Sequence, residues 1–199
     1  MTICVVGMGL IGGSLAKSLR NNGFTGKIIG VDNNPQHCTI AMYRGLADTF
    51  MDLDEAVTES DIIILCAPID TNSRLLPVIL DKISGTEKVV TDMGSTKSDI
   101  ARAVINHRAR GRYVAAHPMA RTEYSGPAAA IEMLFNNKIA IICDRERSDV
   151  DALNLITALF QSLNMHLQYM NSTDHDIHIA YVSHISHITS FALALCVLD

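Results

Sequence analysis

Short apolar runs alternate with longer segments of helical periodicity from the N-terminus to about residue 145. The runs are nearly continuous rather than alternately apolar and polar, which is typical of parallel strands that helices cover on both faces. They predict strands at Ile3–Gly7, Ile28–Asp32, Asp61–Ala67, Lys88–Asp92, Tyr113–His117 and Lys138–Cys143. The intervening segments predict helices at Leu10–Asn22, Asp54–Ser60, Ser73–Ile83 with an interruption at Pro77, and Lys97–Arg110. This alternation predicts an α/β fold with a doubly wound, mostly parallel sheet.

After residue 145 the pattern becomes mainly helical. A helix is predicted from a cap at Ser148 or Asp149 to about Asn164, and a short strand is predicted at His166–Tyr169. Helical character then continues to the last residue, where Phe191–Leu198 is too apolar all round for an isolated surface helix. We therefore expect one unit over residues 1–170 and the start of an all-helical unit over residues 171–199, in the N-terminal portion of something longer.

Composition narrows the class of protein. Of the 199 residues, 48% are apolar and 19% are charged, which excludes general disorder, and the net charge of −5 argues against a nucleic-acid surface. No apolar run reaches the roughly 18 residues that span a bilayer, and no signal peptide precedes the first strand, so we expect a cytoplasmic protein without a membrane partner. The five cysteines lie at least 28 positions apart, a spacing that predicts neither a metal site nor a disulfide framework.

A glycine-rich motif joins the first predicted strand to the first helix. The segment from Gly7 to Gly12 matches G-x-G-x-x-G, and Asp32 ends the second strand 20 positions after Gly12. In a Rossmann-type fold the glycines allow a tight turn that approaches a pyrophosphate, and the acidic residue binds ribose hydroxyls. The predicted cofactor-binding residues are Gly7, Gly9, Leu10, Ile11, Gly12 and Asp32, with Ala67 and Pro68 near the nicotinamide.

The residues around Asp32 indicate which dinucleotide binds. Asn33, Asn34 and Pro35 follow it without an arginine to receive a 2′-phosphate, and the Asp32 carboxylate would repel that phosphate. The sequence therefore predicts NAD as the cofactor rather than NADP.

Two further strand ends carry candidate catalytic groups. His117 ends a strand and is followed by Pro118, a position suited to acid–base chemistry near neutral pH. Ser95 follows another strand and could bind a substrate hydroxyl or orient His117. Structural alternatives remain open, namely a helix cap for Ser95 and a buried, hydrogen-bonded role for His117.

Four histidines near the C-terminus form two pairs with i, i+3 spacing. His175 and His184 would face opposite sides of one continuous helix at about 100° per residue, so one helix cannot gather all four around a metal ion. His184 and His187 share a face that could reach a substrate cleft. His175 and His178 are expected to be surface or packing residues.

The ordered set of motifs resembles the prephenate dehydrogenase family. It comprises the glycine motif with Gly13-Ser14, Asp92-Met-Gly-Ser95-Thr-Lys97, His117-Pro-Met-Ala, Glu123-x-Ser-Gly126-Pro127 and Ser183-His184-Ile-Ser-His187. The resemblance implies NAD-dependent oxidative decarboxylation of prephenate to 4-hydroxyphenylpyruvate in tyrosine biosynthesis. It also implies a dinucleotide-binding domain followed by a helical domain that forms a homodimer.

The resemblance assigns a role to each matching residue. His117 is the catalytic histidine that accepts a hydrogen bond from the substrate's ring hydroxyl, and Ser95 binds the same hydroxyl. Glu123 lies at the mouth of the site, and His187, with His184 beside it, helps to hold the substrate.

Three departures from the family pattern bear on these roles. Arg121 stands where the family commonly has glycine, and Ser186 replaces a proline. An arginine that binds the ring carboxylate in the family has no evident counterpart before Asp199. Arogenate dehydrogenase, a non-catalytic NAD-binding dimerisation module, and a β-hydroxyacid-type dehydrogenase with a catalytic lysine remain as alternatives.

Overall fold

The computed structural model describes residues 1–120 and 122–184 of the chain. Over these ranges the strands are β1 (Thr2–Val6), β2 (Lys27–Val31), β3 (Thr49–Phe50), β4 (Ile62–Leu65), β5 (Val89–Asp92), β6 (Tyr113–Pro118), β7 (Ile139–Cys143) and β8 (His166–Met170). The α-helices are α1 (Leu10–Asn21), α2 (Pro35–Tyr43), α3 (Leu53–Glu59), α4 (Ile69–Ile83), α5 (Ser98–Ala103), α6 (Val150–Ser162) and α7 (Ser172–Ile179), and a π-helical segment at Ala180–His184 continues α7.

The eight strands form one sheet in the order β3-β2-β1-β4-β5-β6-β7-β8. The first six in this order are parallel, so their carboxyl ends meet at one edge, and β1 and β4 flank the point where the strand order reverses. The predicted doubly wound, mostly parallel sheet is confirmed. The departure from parallel pairing is at β7, which pairs antiparallel with β6 and parallel with β8.

Both faces of the sheet are buried, which explains the continuous apolar runs. In β4, Ile62 and Ile64 pack in the core cluster that includes α1 and α6, and Ile63 and Leu65 pack in the cluster that includes α3, α4 and α5. Side chains alternate between the two faces of a strand, so a strand covered on both sides needs an apolar residue at every position. The direction of β7 cannot be recognised from such a run.

Helix α4 corrects the predicted start near Ser73 and the interruption at Pro77. It begins at Ile69 and passes through Pro77 without ending. Proline removes one backbone hydrogen bond from a helix, but Leu76 and Ile79, on either side of Pro77, are both fully buried. Their packing against the sheet outweighs the cost of the proline.

Helix α5 is shorter than the predicted Lys97–Arg110 segment and ends at Ala103. The chain then tightens into i−3 hydrogen bonds, among them His107 N to Val104 O at 3.0 Å and Arg110 N to His107 O at 2.9 Å. Val104 and Ala109 are both buried, yet a straight α-helix would place them about 140° apart. The tighter turns bring both side chains to the sheet.

Two elements were missed in the sequence, helix α2 and the short strand β3. The Asn34 side chain caps α2 by accepting hydrogen bonds from Gln36 N and His37 N, and Pro35 occupies the first helical position. The helix has little apolar periodicity because Ala41 is its one buried residue. The sequence therefore contains the signal for the start of α2, Asn34 followed by Pro35, but not the apolar periodicity by which the other helices were predicted.

The C-terminal elements follow the prediction as far as the structure describes them. Asp149 is the N-cap residue of α6, and β8 is found where the short strand was predicted. The predicted apolar helix end, Phe191–Leu198, lies outside the described residues. Within residues 1–120 and 122–184, no helix is long and apolar enough to cross a membrane.

Candidate functional site

The glycine turn lies at the carboxyl end of β1, beside the end of β4. Gly7 has φ of +94°, and a Cβ there would stand 2.6 Å from the backbone N of Ala67. At Gly12 a Cβ would stand 2.2 Å from the carbonyl oxygen of Gly7. Only glycine fits either position, because the clashing atoms are backbone atoms that cannot rotate away.

Gly9 differs from its neighbours, because a Cβ placed there would have no heavy atom within 4 Å. This open space belongs to a cavity of about 530 Å³ at the carboxyl edge of the sheet, lined by Gly7, Gly9, Asp32, Ala67 and Pro68 among others. Leu10 and Ile11, which begin α1, pack against the hydrophobic core. The turn therefore exposes backbone atoms to the cavity, and the packing of Leu10 and Ile11 holds it in place.

Asp32 lies in the cavity wall at the end of β2, with its side chain 8% exposed. Its carboxylate accepts hydrogen bonds from the backbone N–H groups of Met8 and Asn34, both at 2.9 Å. The Met8 bond ties Asp32 to the glycine turn. A carboxylate has about four lone-pair positions, so capacity remains for ligand hydroxyl groups.

Other residues of the cavity wall were not predicted. They are Val6, Val31, Asn33, Asn34, His37, Leu53, Cys66, Thr71 and Leu75. His37 Nδ1 lies 3.4 Å from Asp32 Oδ2 and belongs to α2, the helix that the sequence pattern missed. Burial raises the pKa of the Cys66 thiol, so this cysteine is a neutral part of the wall.

A buried ion pair underlies the neighbouring strand ends. The Asp92 carboxylate at the end of β5 pairs with the ammonium group of Lys97, and both side chains have zero exposure. Lys97 Nζ also donates to Ala116 O at 2.8 Å, and Tyr113 OH donates to Asp92 Oδ1 at 2.7 Å. The pair therefore fastens the end of β5 to β6, directly before His117.

His117 takes part in a chain of three side chains at the end of β6. Its Nδ1 lies 2.9 Å from Nε2 of His175, and Nδ1 of His175 lies 2.7 Å from Oδ1 of Asp176. His175 is fully buried. Of the surface and packing roles expected for His175, burial excludes the surface role, and its contact with His117 was not predicted.

Hydrogen bonds hold Asp176 in place beside the start of α5. Its oxygens accept the backbone N–H of Lys97 at 2.7 Å and of Ser98 at 2.8 Å. Burial raises the pKa of Asp176, but these bonds and the bond from His175 outweigh it and hold the pKa below its usual range. Burial lowers the pKa of His175, which favours the neutral imidazole.

Two of the other predicted site residues, Ser95 and Glu123, are exposed. Nδ1 of His117 lies within hydrogen-bond distance of His175. Lys97, not Ser95, is the N-cap residue of α5. His184 ends the described part of the chain, and His187 and Arg121 lie outside the described residues.

Of the two histidine pairs, the structure describes the side chains of His175 and His178. His178 is exposed, and its Nδ1 bonds to the carbonyl oxygen of Asp174. In those ranges no group of three or more histidine, cysteine, aspartate or glutamate side chains is arranged to hold a metal ion.

A family model described as prephenate dehydrogenase, nucleotide-binding domain, matches residues 15–169 of the chain. The chain belongs to this family. The match covers the strands that carry Asp32, Ala67 and His117. The resemblance recognised in the sequence motifs is therefore confirmed, together with the Rossmann-type fold.

Individual relatives agree with the family assignment. The chain is 32% identical over 196 residues to a prephenate dehydrogenase of Bacillus subtilis, a match covering 96% of this chain and 52% of that protein. It thus spans about half the length of that curated relative.

Solved structures of the family share the fold. A prephenate dehydrogenase from A. aeolicus, in complex with hydroxyphenyl propionate and NAD⁺, matches with 32% identity and a TM-score of 0.85, over 100% of this chain and 69% of that one. An arogenate dehydrogenase from Synechocystis matches with 31% identity and a TM-score of 0.85, over 98% and 69% of the two chains.

Replacing Lys97 should test the importance of the buried pair. Lys97→Met leaves the Asp92 carboxylate buried without its counter-charge, and we expect the free energy of unfolding to fall by about 3–5 kcal/mol. The measurement is urea unfolding followed by circular dichroism. Lys82→Met removes a surface pair with Asp54 and should cost at most about 1 kcal/mol. Equal losses in the two variants would contradict the account.

The lowered pKa of His175 predicts a pH dependence of stability. Unfolded histidine binds a proton near pH 6.5 and native His175 does so only at lower pH, so the free energy of unfolding should fall as pH drops below about 6.5. His175→Gln should remove this part of the slope between about pH 6.5 and 5, measured by urea unfolding at several pH values. His178→Gln is the exposed control and should keep the slope. A slope unaffected by His175→Gln would show that His175 is not held neutral.

Proposed function

We propose that this chain supplies the NAD-binding half and the catalytic base of an enzyme that converts prephenate to 4-hydroxyphenylpyruvate by oxidative decarboxylation. The observation that carries the proposal is the shared edge of the sheet. The cavity with Gly9 and Asp32 opens at the ends of β1 and β2, and His117 lies at the end of β6. Strands are about 4.8 Å apart, so His117 lies roughly 10 Å along the edge from Ala67 at the end of β4.

The cavity fits NAD in two respects. The open space at Gly9 allows a pyrophosphate to approach the backbone at the start of α1, where N–H groups point outward. Asp32 offers its remaining lone pairs to the ribose hydroxyls, and the adjacent Asn33 and Asn34 carry no positive charge for a 2′-phosphate. The A. aeolicus relative, solved with NAD⁺, supports this choice of cofactor.

The proposed chemistry needs positioning and one base. NAD⁺ held at the glycine turn and Asp32 would supply the hydride acceptor for the carbinol carbon of prephenate. His117 would accept the hydroxyl proton as the hydride leaves, and the carboxylate bond electrons would enter the ring as carbon dioxide departs. His117 would then return the proton to the phenolate oxygen of the product. Formation of the aromatic ring drives the reaction.

The remaining predicted residues have proposed roles around the same substrate. Ser95, exposed after β5, would bind the ring hydroxyl together with His117. Glu123, exposed in the segment after β6, would lie at the mouth of the site. His184 and His187 would help to hold the substrate. The carboxylate on the side chain of prephenate resembles the carboxylate of hydroxyphenyl propionate in the A. aeolicus complex.

The placement of Lys97 favours histidine over lysine as the catalytic base. Lys97 is fully buried, and its ammonium group is engaged by Asp92 and by the carbonyl oxygen of Ala116. An ammonium group donates hydrogen bonds but has no lone pair with which to accept a proton. This arrangement argues against the β-hydroxyacid-type alternative for this lysine.

Arogenate is the second candidate substrate, because the Synechocystis relative is an arogenate dehydrogenase. Arogenate and prephenate share the ring that reacts and differ in the side-chain amine. Assays with each substrate separately, monitored at the NADH absorbance, distinguish the two.

The organisation of the protein is also part of the proposal. We place the boundary of the dinucleotide-binding domain near residue 170, where β8 ends and α7 follows. We propose a homodimer, which the family resemblance implies, and the cytoplasmic location that the sequence pattern predicts. Exposed apolar side chains at Ile177, Tyr181 and Val182 support an interface on this side of the domain.

Asp32 should determine the preference for NAD⁺ over NADP⁺. Asp32→Ser combined with Asn33→Arg removes the repulsive carboxylate and adds a cation. The ratio of the dissociation constant for NADP⁺ to that for NAD⁺ should therefore fall. Calorimetric titration of the intact protein measures this ratio. Asn33→Arg alone keeps the carboxylate and should change the ratio less. Equal affinity for both cofactors in the unmodified protein would contradict the role of Asp32.

His117→Asn should separate catalysis from cofactor binding. Loss of the base should lower kcat with prephenate by about 10²–10⁴-fold, and the Kd for NAD⁺ should stay unchanged because the cofactor contacts lie elsewhere. The exposed His166 provides a control, and His166→Asn should leave both values unaltered. Near-normal turnover in His117→Asn would refute the assignment.

A further inference from the structure

The contacts of His117 extend through two more side chains that the proposed reaction does not itself use. His175 and Asp176 are adjacent residues of α7, and they connect His117 to the backbone at the start of α5. Each link has hydrogen-bond length, 2.9 Å between the two histidines and 2.7 Å between His175 and Asp176. We call this set the histidine relay, comprising His117, His175 and Asp176.

The charge state of Asp176 determines which groups donate and which accept in the relay. Its carboxylate accepts the backbone N–H groups of Lys97 and Ser98, which only donate, and these bonds favour the ionised form. An ionised carboxylate accepts but cannot donate. The proton shared between Asp176 and His175 must therefore reside on Nδ1 of His175.

The second link follows from the charge state of His175. A neutral imidazole with its proton on Nδ1 has an unprotonated Nε2, which can only accept. Nε2 of His175 faces Nδ1 of His117, so Nδ1 of His117 must donate. In neutral His117 the remaining nitrogen, Nε2, then carries the lone pair.

The surroundings of His175 favour the neutral state on which this argument depends. Its side chain has zero exposure, and the buried ammonium of Lys97 opposes a second positive charge, whereas Asp176 and Asp92 act in the other direction. Burial is the largest of these influences. A protonated His175 would present N–H to His117 and reverse the donor and acceptor roles.

We infer that His175 and Asp176 are positioning residues that hold His117 with Nδ1 protonated, so that Nε2 is the nitrogen that accepts the substrate proton. The inference rests on the proposed function of His117 as the base. It gives α7 a part in catalysis, because this helix carries both residues that set the tautomer of the base. A comparable carboxylate–histidine contact sets the tautomer of the base in serine proteases.

Nitrogen NMR of the intact protein labelled with ¹⁵N-histidine tests the tautomer directly. We expect the neutral His117 ring to show a proton on Nδ1, with its signals identified by their loss in His117→Asn. A proton on Nε2 in the unmodified protein would overturn the inference. This readout needs no turnover, so it separates failure of the relay from failure of the proposed reaction, which absence of NADH formation from prephenate would reveal.

Kinetics of two substitutions at His175 provide the second test. His175→Leu removes the acceptor, and we expect kcat with prephenate to fall about 100-fold while KM for prephenate and the Kd for NAD⁺ change less than about twofold. His175→Gln restores an acceptor oxygen, and its kcat should be at least about tenfold higher than that of His175→Leu. His178→Gln on the same helix is the matched control and should behave as the unmodified protein. Unchanged kcat in His175→Leu, or no recovery in His175→Gln with NAD⁺ binding intact, would overturn the inference. If His175→Leu does not fold, the tautomer of the unmodified protein decides.

Discussion

The geometry of the reactive edge depends on the buried ion pair between Asp92 and Lys97. Because both charged side chains are fully buried, each must neutralise the other, and their remaining hydrogen-bonding positions must find protein partners. This requirement restricts the positions of β5, β6 and the turn between β5 and α5. The Asp92 carboxylate accepts a hydrogen bond from Tyr113 OH, and the Lys97 ammonium donates one to the carbonyl oxygen of Ala116. The backbone N–H of the same lysine holds Asp176, so one residue fixes the strand before His117 and the far end of the histidine relay.

The two halves of the proposed site use the same sheet in different ways. The glycine turn works because side chains are absent: Gly7 and Gly12 allow close backbone contacts, and Gly9 leaves space open. On the side of His117, the buried side chains of Asp92, Lys97 and His175 are bonded to partners from β6 and α7. Parallel strands bring both to one edge, which is the general place for ligand sites in open α/β sheets. The proposed function requires this placement, because its hydride acceptor and its proton acceptor act on one substrate.

Local signals located the glycine turn and Asp32 at the cavity, whereas contacts distant in sequence limited prediction of the surroundings of His117. The glycine motif and Asp32 lie within one βαβ unit, so their spacing alone indicates the proposed cofactor site. His175 and His117 are 58 residues apart, and Lys97 and Asp176 are 79 apart. No periodicity links such pairs, which is why His175 was assigned to packing. The antiparallel β7 was missed because burial on both faces gives the same apolar run in either direction.

The joint yield of NADH and carbon dioxide from prephenate and NAD⁺ tests the account most directly. Hydride loss and decarboxylation belong to one aromatisation, so the intact protein should form the two products in equal amounts, with 4-hydroxyphenylpyruvate as the organic product. Absorbance of NADH and release of labelled carbon dioxide can be followed in the same sample. Formation of NADH without carbon dioxide, or no NADH from a folded protein that binds NAD⁺, would contradict the proposed reaction.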